Sequence, residues 1–192
     1  MFTFAAVNSY YRGSGKPFIC HLVGVAGIMA SCRQPVEVIQ VALMHALYQN
    51  RVTFGAANTM EAKRSLVQAK FGAWIDEHIF AYTEFELQGA EKLDVDETMK
   101  RVVMLISIAD ELEDIMSYGL SLHGTETEHE PIKGNAQWRI QKYRNLAEQI
   151  KQLAQGYQIP FLTEVVNIWY DFDSYETYQH KLKTGYYSSF VL

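Results

Sequence analysis

Three polar residues stand where an apolar core is expected: His21, His45 and Asp110. His21 follows Phe18-Ile19-Cys20 and precedes Leu22-Val23. His45 lies inside Val41-Ala42-Leu43-Met44-His45-Ala46-Leu47. Asp110 closes the run from Val102 to Ala109, one turn beyond Ile106 on the inward stripe. A buried carboxylate costs on the order of several kcal/mol unless a metal, a histidine or an arginine meets it. Two imidazoles and one carboxylate, carried on three separate helices, form a plausible cradle for a divalent metal. Taken singly, each residue also has an ordinary structural reading. A histidine in an apolar helix is commonly a satisfied core side chain, and a mid-helix aspartate is commonly a cap or an ion-pair partner.

Most of the chain reads at helical period. A short helix is expected over residues 2–11, followed by the loop Arg12-Gly13-Ser14-Gly15-Lys16. Pro17 then starts a helix to about residue 32, with Phe18, Leu22, Val25 and Met29 on one face. Pro35 opens the next, about 35–49, whose stretch from Val36 to Tyr48 is apolar nearly all round and should be central and buried. After a loop at 51–59, a helix over 60–71 breaks near Gly72, and another runs to about 86. Gly89 to Asp94 is a turn. Residues 95–118 form a long helix with Met99, Val102, Val103, Ile106 and Ala109 inward. Residues 121–135 read as a long polar loop, and helices return over about 136–155 and 161–183.

The composition sets limits on function. The chain has 192 residues, 48 % of them hydrophobic, which suits one globular domain with a real core. Only four prolines occur, which permits long helices. With 17 basic and 22 acidic residues the net charge is -5, which argues against binding to long nucleic acid but leaves room for a single nucleotide. Two cysteines, Cys20 and Cys32, form no Cys-x-x-Cys pair, so a reducing, cytoplasmic setting is expected. No basic segment precedes an apolar stretch at the N-terminus, so no signal peptide is expected. The longest apolar run, Leu22 to Ala30, is too short to span a bilayer, so no membrane association is expected.

Four segments resemble a known family. The run from Arg12 to His21, Arg-Gly-Ser-Gly-Lys-Pro-Phe-Ile-Cys-His, is similar to the segment that opens the HD hydrolase domain of RelA/SpoT-type alarmone enzymes. Val41-Ala42-Leu43-Met44-His45 is similar to their Ala-Ala-Leu-Leu-His-Asp helix. Phe71-Gly72 through Ile75, Ile79, Tyr82, Thr83 and Phe85 keeps the spacing of a third segment. Ile108-Ala109-Asp110-Glu111-Leu112 resembles a fourth, Leu-Ala-Asp-Arg-Leu. The matches run in order across about residues 11–116. The resemblance implies an all-α, HD-domain-like helical bundle. Separately from the resemblance, which ends before about residue 120, the chain length suggests a single domain over 1–192, with the helices of about 136–183 expected to pack on the family-like core of about 11–116. The resemblance implies a metal site of His21, His45 and Asp110, and an arginine, Arg12, beside a nucleotide base. In that family the metal is usually manganese.

This sequence also departs from the family. Ala46 stands where the aspartate of the His-Asp pair belongs, so one ligand is missing. Gln49 and Asn50 stand where a Glu-Asp pair handles the attacking water, and neither amide can take a proton as a carboxylate does. A shorter pattern, His45-Ala46-Leu47-Tyr48 followed by Phe54, is similar to HD-like proteins that lack the His-Asp pair.

Three functional readings follow. The first is a divergent HD-type, phosphohydrolase-like enzyme acting on a small phosphorylated or nucleotide-like molecule. His21, His45 and Asp110 would hold manganese, iron or zinc. Gln49, Asn50 and Asp114 would serve catalysis, and Arg12, Lys16 and Tyr48 would hold the substrate. In a variant of this reading, two histidines and one carboxylate form a non-haem iron site. The second is a pseudoenzyme, a ligand-binding module with no metal. The third is a partner-binding or self-associating helical protein. It rests on Trp169, Tyr170, Phe172, Tyr175, Tyr178, Tyr186, Tyr187 and Phe190, whose ordinary role would be to cover one side of the core. His123, Glu126, Glu128 and His129 form a loose cluster that suits a solvated loop, and Gly13-Ser14-Gly15 is too short for a phosphate loop.

Overall fold

A computed structural model describes residues 17–49, 52, 57, 59–89 and 92–116. Five helices are found among them: α1 (Phe18–Ser31), α2 (Val36–Met44), α3 (Met60–Phe71), α4 (Ala73–Gln88) and α5 (Glu97–Met116). The described part is therefore all-α. The chain divides into two compact units, Met1–Glu111 and Leu112–Leu192, and His21, His45 and Asp110 all belong to the first. The helices expected at 2–11, 136–155 and 161–183, and the aromatic-rich C-terminal segment, lie outside the described residues. None of the described helices is long and apolar enough to cross a membrane.

The apolar stripe expected on α1 is the one buried. Phe18, Leu22, Val25 and Met29 each have 1 % or less of their surface exposed. This helix ends in a tight C-terminal motif. Arg33 takes a left-handed φ of 54°, its N–H donates to the Ala30 carbonyl, and the Gln34 N–H reaches back to the Met29 carbonyl at 3.1 Å. Glycine usually fills that left-handed position, because a Cβ there costs about 1–2 kcal/mol. Arg33→Gly is therefore expected to raise stability by about 0.5–1 kcal/mol, the gain being reduced by the greater freedom of glycine in the unfolded chain. A urea midpoint that stays put or falls would show that Arg33 makes a compensating contact.

Proline opens α2 as expected, but the regular helix stops at Met44 rather than near residue 49. Beyond it the chain tightens into turns closed by three-residue spacings, Leu47 N–H to Met44 O at 2.9 Å and Gln49 N–H to Ala46 O at 3.2 Å. Short-spacing bonds of this kind commonly finish an α-helix by using its last carbonyls. The expectation of a helix buried all round also needs correction. Val36, at the start, is 62 % exposed, whereas every residue from Met44 to Tyr48 is buried. The segment therefore enters the core end-on.

α3 is the least apolar of the described helices and buries only Lys63 and Val67. It is started by Thr59, whose Oγ1 accepts from the Ala62 N–H at 3.2 Å. Gly72, at φ 92°, separates it from α4, a backbone angle that residues bearing a Cβ rarely adopt. Asp96 accepts from the Met99 N–H at 2.9 Å at the start of α5. α5 buries a broader face than the expected stripe, adding Leu105 and Ile108 to Val102, Val103, Ile106 and Ala109, while Met99 stays half-buried. α1 packs on α2, α2 on α4, and α3 on α4. The start of α1, the end of α2 and the middle of α4 thereby meet Asp110 of α5, through His21, His45 and Tyr82.

Candidate metal centre

His21 comes from the first turn of α1, His45 caps the C-terminus of α2, and Asp110 comes from α5. The two histidines are 1 % and 2 % exposed, while the Asp110 side chain keeps 20 %, so any opening lies on the carboxylate side. His21 Nε2 is 2.8 Å from Asp110 Oδ1, and His45 Nε2 is 3.9 Å from the same oxygen. One ligand atom from each of the three side chains lies within 4.8 Å of the others. Donors held about 2.0–2.2 Å from a common ion stand roughly 3–4 Å apart. The observed spacing is close to that, and the group could hold a metal.

The hydrogen-bond pattern orients these donors. His45 Nδ1 is 2.7 Å from the Ala42 carbonyl, which can only accept. Nδ1 therefore carries the proton, and in the neutral ring Nε2 presents its lone pair toward Asp110. Asp110 Oδ2 accepts from the Tyr82 hydroxyl at 2.8 Å. Oδ1 lies close to both imidazole nitrogens, yet it is buried and receives no aligned hydrogen bond among the described residues. A close but unaligned approach of two nitrogens to one oxygen is the geometry expected of atoms directed at a common point rather than at each other. Burial alone would push the Asp110 carboxyl up. The His21 contact, the charges of both histidines and the Tyr82 hydroxyl more than offset this and hold it far below the ordinary carboxylate range. With the imidazoles protonated the cluster is an ion pair around an ionised Asp110; with a metal between them the rings would be neutral and the ion would supply that charge.

Rings complete the wall. Phe18 stacks on His21 at 5.8 Å, His21 meets His45 edge-on at 5.4 Å, and Tyr82 meets His45 edge-on at 5.1 Å. The three side chains are therefore packed among aromatic rings, one stacked and the others edge-on.

Other residues singled out in the sequence fall elsewhere. Tyr48 is buried with its hydroxyl donating to Asp76 Oδ1, so this group is engaged inside the fold rather than offered to a ligand. Gln49 is half-buried at the end of the turn, and its backbone carbonyl accepts from Lys63 Nζ at 3.3 Å. Arg12, Lys16, Asn50 and the side chain of Asp114 lie outside the described residues.

Two features went unread in the sequence. Tyr82 shares the α4 stripe of Ile75 and Ile79, and a tyrosine on such a stripe must find a partner for its hydroxyl, which is the signal that could have exposed it. The second is a network around Asp76, which is fully buried. Arg64 grips its carboxylate with Nε at 3.0 and 3.2 Å and Nη2 at 2.7 Å, and Gln68 Nε2 adds a bond of 2.7 Å. Arg64 also lies 4.1 Å over the Phe80 ring. Burial pushes the Asp76 carboxyl up, but the bonds from Arg64, Tyr48 and Gln68 outweigh it and hold it below the usual range. This network fastens the α2 turn, α3 and α4 together.

Two further groups are set aside on their chemistry. His78 is buried, donates from Nδ1 to the Trp74 carbonyl at 2.7 Å and stacks on the Trp74 ring at 3.7 Å, and burial lowers its pKa. Burial pushes the Cys32 thiol up to about 11, which removes it as a nucleophile near neutral pH. A shallow cleft of about 350 Å³, with Arg64, Phe80, Glu84 and Met99 in its walls, includes none of the three clustered residues. Comparison with protein-family models and with curated proteins finds no match for this chain.

Proposed function

We propose that this chain holds one divalent metal ion between His21, His45 and Asp110 and acts there on a small phosphorylated or nucleotide-like molecule, as a divergent HD-like enzyme. The observation that carries the proposal is the approach of two buried imidazole nitrogens to one carboxylate oxygen, with one ligand atom from each side chain within 4.8 Å of the others. Such an ion would supply a Lewis acid with coordination positions left for a substrate oxygen. The chain's own residues would hold it. His45 is fixed by its bond to the Ala42 carbonyl, and Asp110 supplies the negative charge.

The resemblance to the HD hydrolase domain supports the substrate class. On that resemblance Arg12 and Lys16 would meet the anionic group. Gln49 and Asn50 would orient water or substrate without taking its proton. Manganese, iron and zinc all suit two imidazoles and a carboxylate, and the donor set is also that of non-haem iron oxygenases.

A second reading is favoured by one distance. His21 and Asp110 stand 2.8 Å apart, close enough for a direct ion pair that would meet the buried charge without a metal. The chain would then be a ligand-binding module with no chemistry of its own.

One assay separates the two. The purified protein, loaded with Mn²⁺ and offered nucleotides and sugar phosphates, is expected to release phosphate or pyrophosphate in a metal-dependent way. Ala46→Asp, which restores the missing carboxylate, is expected to raise that rate. Binding of a phosphorylated compound by metal-free protein, with no turnover by either the loaded protein or the variant, would establish the binding module instead.

A further inference from the structure

We propose that Tyr82 is a positioning residue of the metal centre, holding Asp110 as a single-oxygen ligand; the inference rests on the metal-centre reading above. Tyr82 belongs to α4, which supplies none of the three candidate ligands. Its ring is 1 % exposed and meets the His45 ring edge-on at 5.1 Å. Its hydroxyl donates to Asp110 Oδ2 at 2.8 Å. One side chain therefore touches two of the three ligands.

The two oxygens of Asp110 are thereby given different tasks. Oδ2 is tied to α4, and Oδ1 is left between His21 Nε2 and His45 Nε2. The bond fixes the torsion of the carboxylate and withdraws electron density from Oδ2, so that oxygen is a poorer metal donor. A carboxylate held this way occupies one coordination position and leaves others for substrate. Freed of the hydroxyl, the partly exposed carboxylate can turn so that both oxygens meet the ion, or swing outward. Partners of this kind, which orient a ligand without binding the metal, typically change affinity by about 10–100-fold when removed.

Tyr82→Phe keeps the ring and its contact with His45 and deletes only the hydroxyl. The probe is Co²⁺, titrated into the full chain and followed by its visible absorption, which reports affinity and coordination number together. Wild type is expected to bind Co²⁺. The variant is expected to bind about 10–100-fold more weakly, with a weaker visible band as the carboxylate chelates and the coordination number rises. Equal affinity with an unchanged spectrum would overturn the role of Tyr82 and leave the metal centre standing. Absence of Co²⁺ binding by folded wild type would remove the metal centre itself, and this role with it. Should the phenylalanine variant not fold, a fluorotyrosine placed at position 82 retains the hydroxyl and strengthens it as a donor. A shifted Co²⁺ band then supports the role, and an unchanged band overturns it.

Discussion

Asp76→Ala is expected to destabilise the described unit by about 3–5 kcal/mol, the usual cost of removing one partner from a buried ion pair. The loss is large because the carboxylate satisfies three donors at once. Without it the Arg64 guanidinium, the Tyr48 hydroxyl and the Gln68 amide all lose this acceptor, and Tyr48, 1 % exposed, is shielded from bulk solvent. Against a typical total stability of about 5–15 kcal/mol this is enough to unfold a marginal protein. Asp76→Asn keeps one acceptor oxygen and the volume, so it should cost less. Urea denaturation of the three proteins gives the order directly, and an Asp76→Ala midpoint equal to wild type would show that the network contributes nothing.

The same network sets a pH dependence. The folded carboxyl of Asp76 titrates below its unfolded value. Its stabilising effect is therefore complete above the unfolded aspartate pKa of about 3.9, and it is lost as pH falls through the folded value. Melting temperature should drop on acidification below about pH 4, and Asp76→Asn should flatten that part of the profile.

The second large effect concerns metal affinity. His45→Ala removes one of the three candidate ligands found among the described residues, and the affinity for Mn²⁺ or Zn²⁺ is expected to fall by more than about 100-fold, roughly 2.7 kcal/mol or more. The helical fold should remain, because His45 lies beyond the last regular turn of α2. Calorimetric titration alongside a far-ultraviolet spectrum checks both halves. Undiminished binding by the folded variant would remove His45 from the site.

Much of the fold was legible because it rests on periodicity. The stripe Phe18, Leu22, Val25 and Met29 and the break at Gly72 both emerged as expected, since a helix that buries one face must repeat its apolar residues. The early end of α2 was not legible. Ala46, Leu47 and Tyr48 continue an apolar helical pattern, and only the backbone bonds show that the chain tightens there. The meeting of His21, His45 and Asp110 was legible as three misplaced polar residues, given the cost of burying a carboxylate alone. The Asp76 network was hidden for the opposite reason. An aspartate in the first turn of a helix looks like an ordinary dipole partner, and an arginine on a polar helix looks solvated. What joins them is the packing of α3 on α4, which no local pattern reveals.

The most direct measurement is the divalent metal content of the purified full-length chain by elemental analysis, followed by titration of the chelator-treated protein. A centre built from His21, His45 and Asp110 predicts close to one manganese, iron or zinc per chain, lost to chelator and regained on titration with a matching stoichiometry. Folded protein that carries no metal and takes up none would contradict it, and the three side chains would then be a buried ion-pair cluster and nothing more.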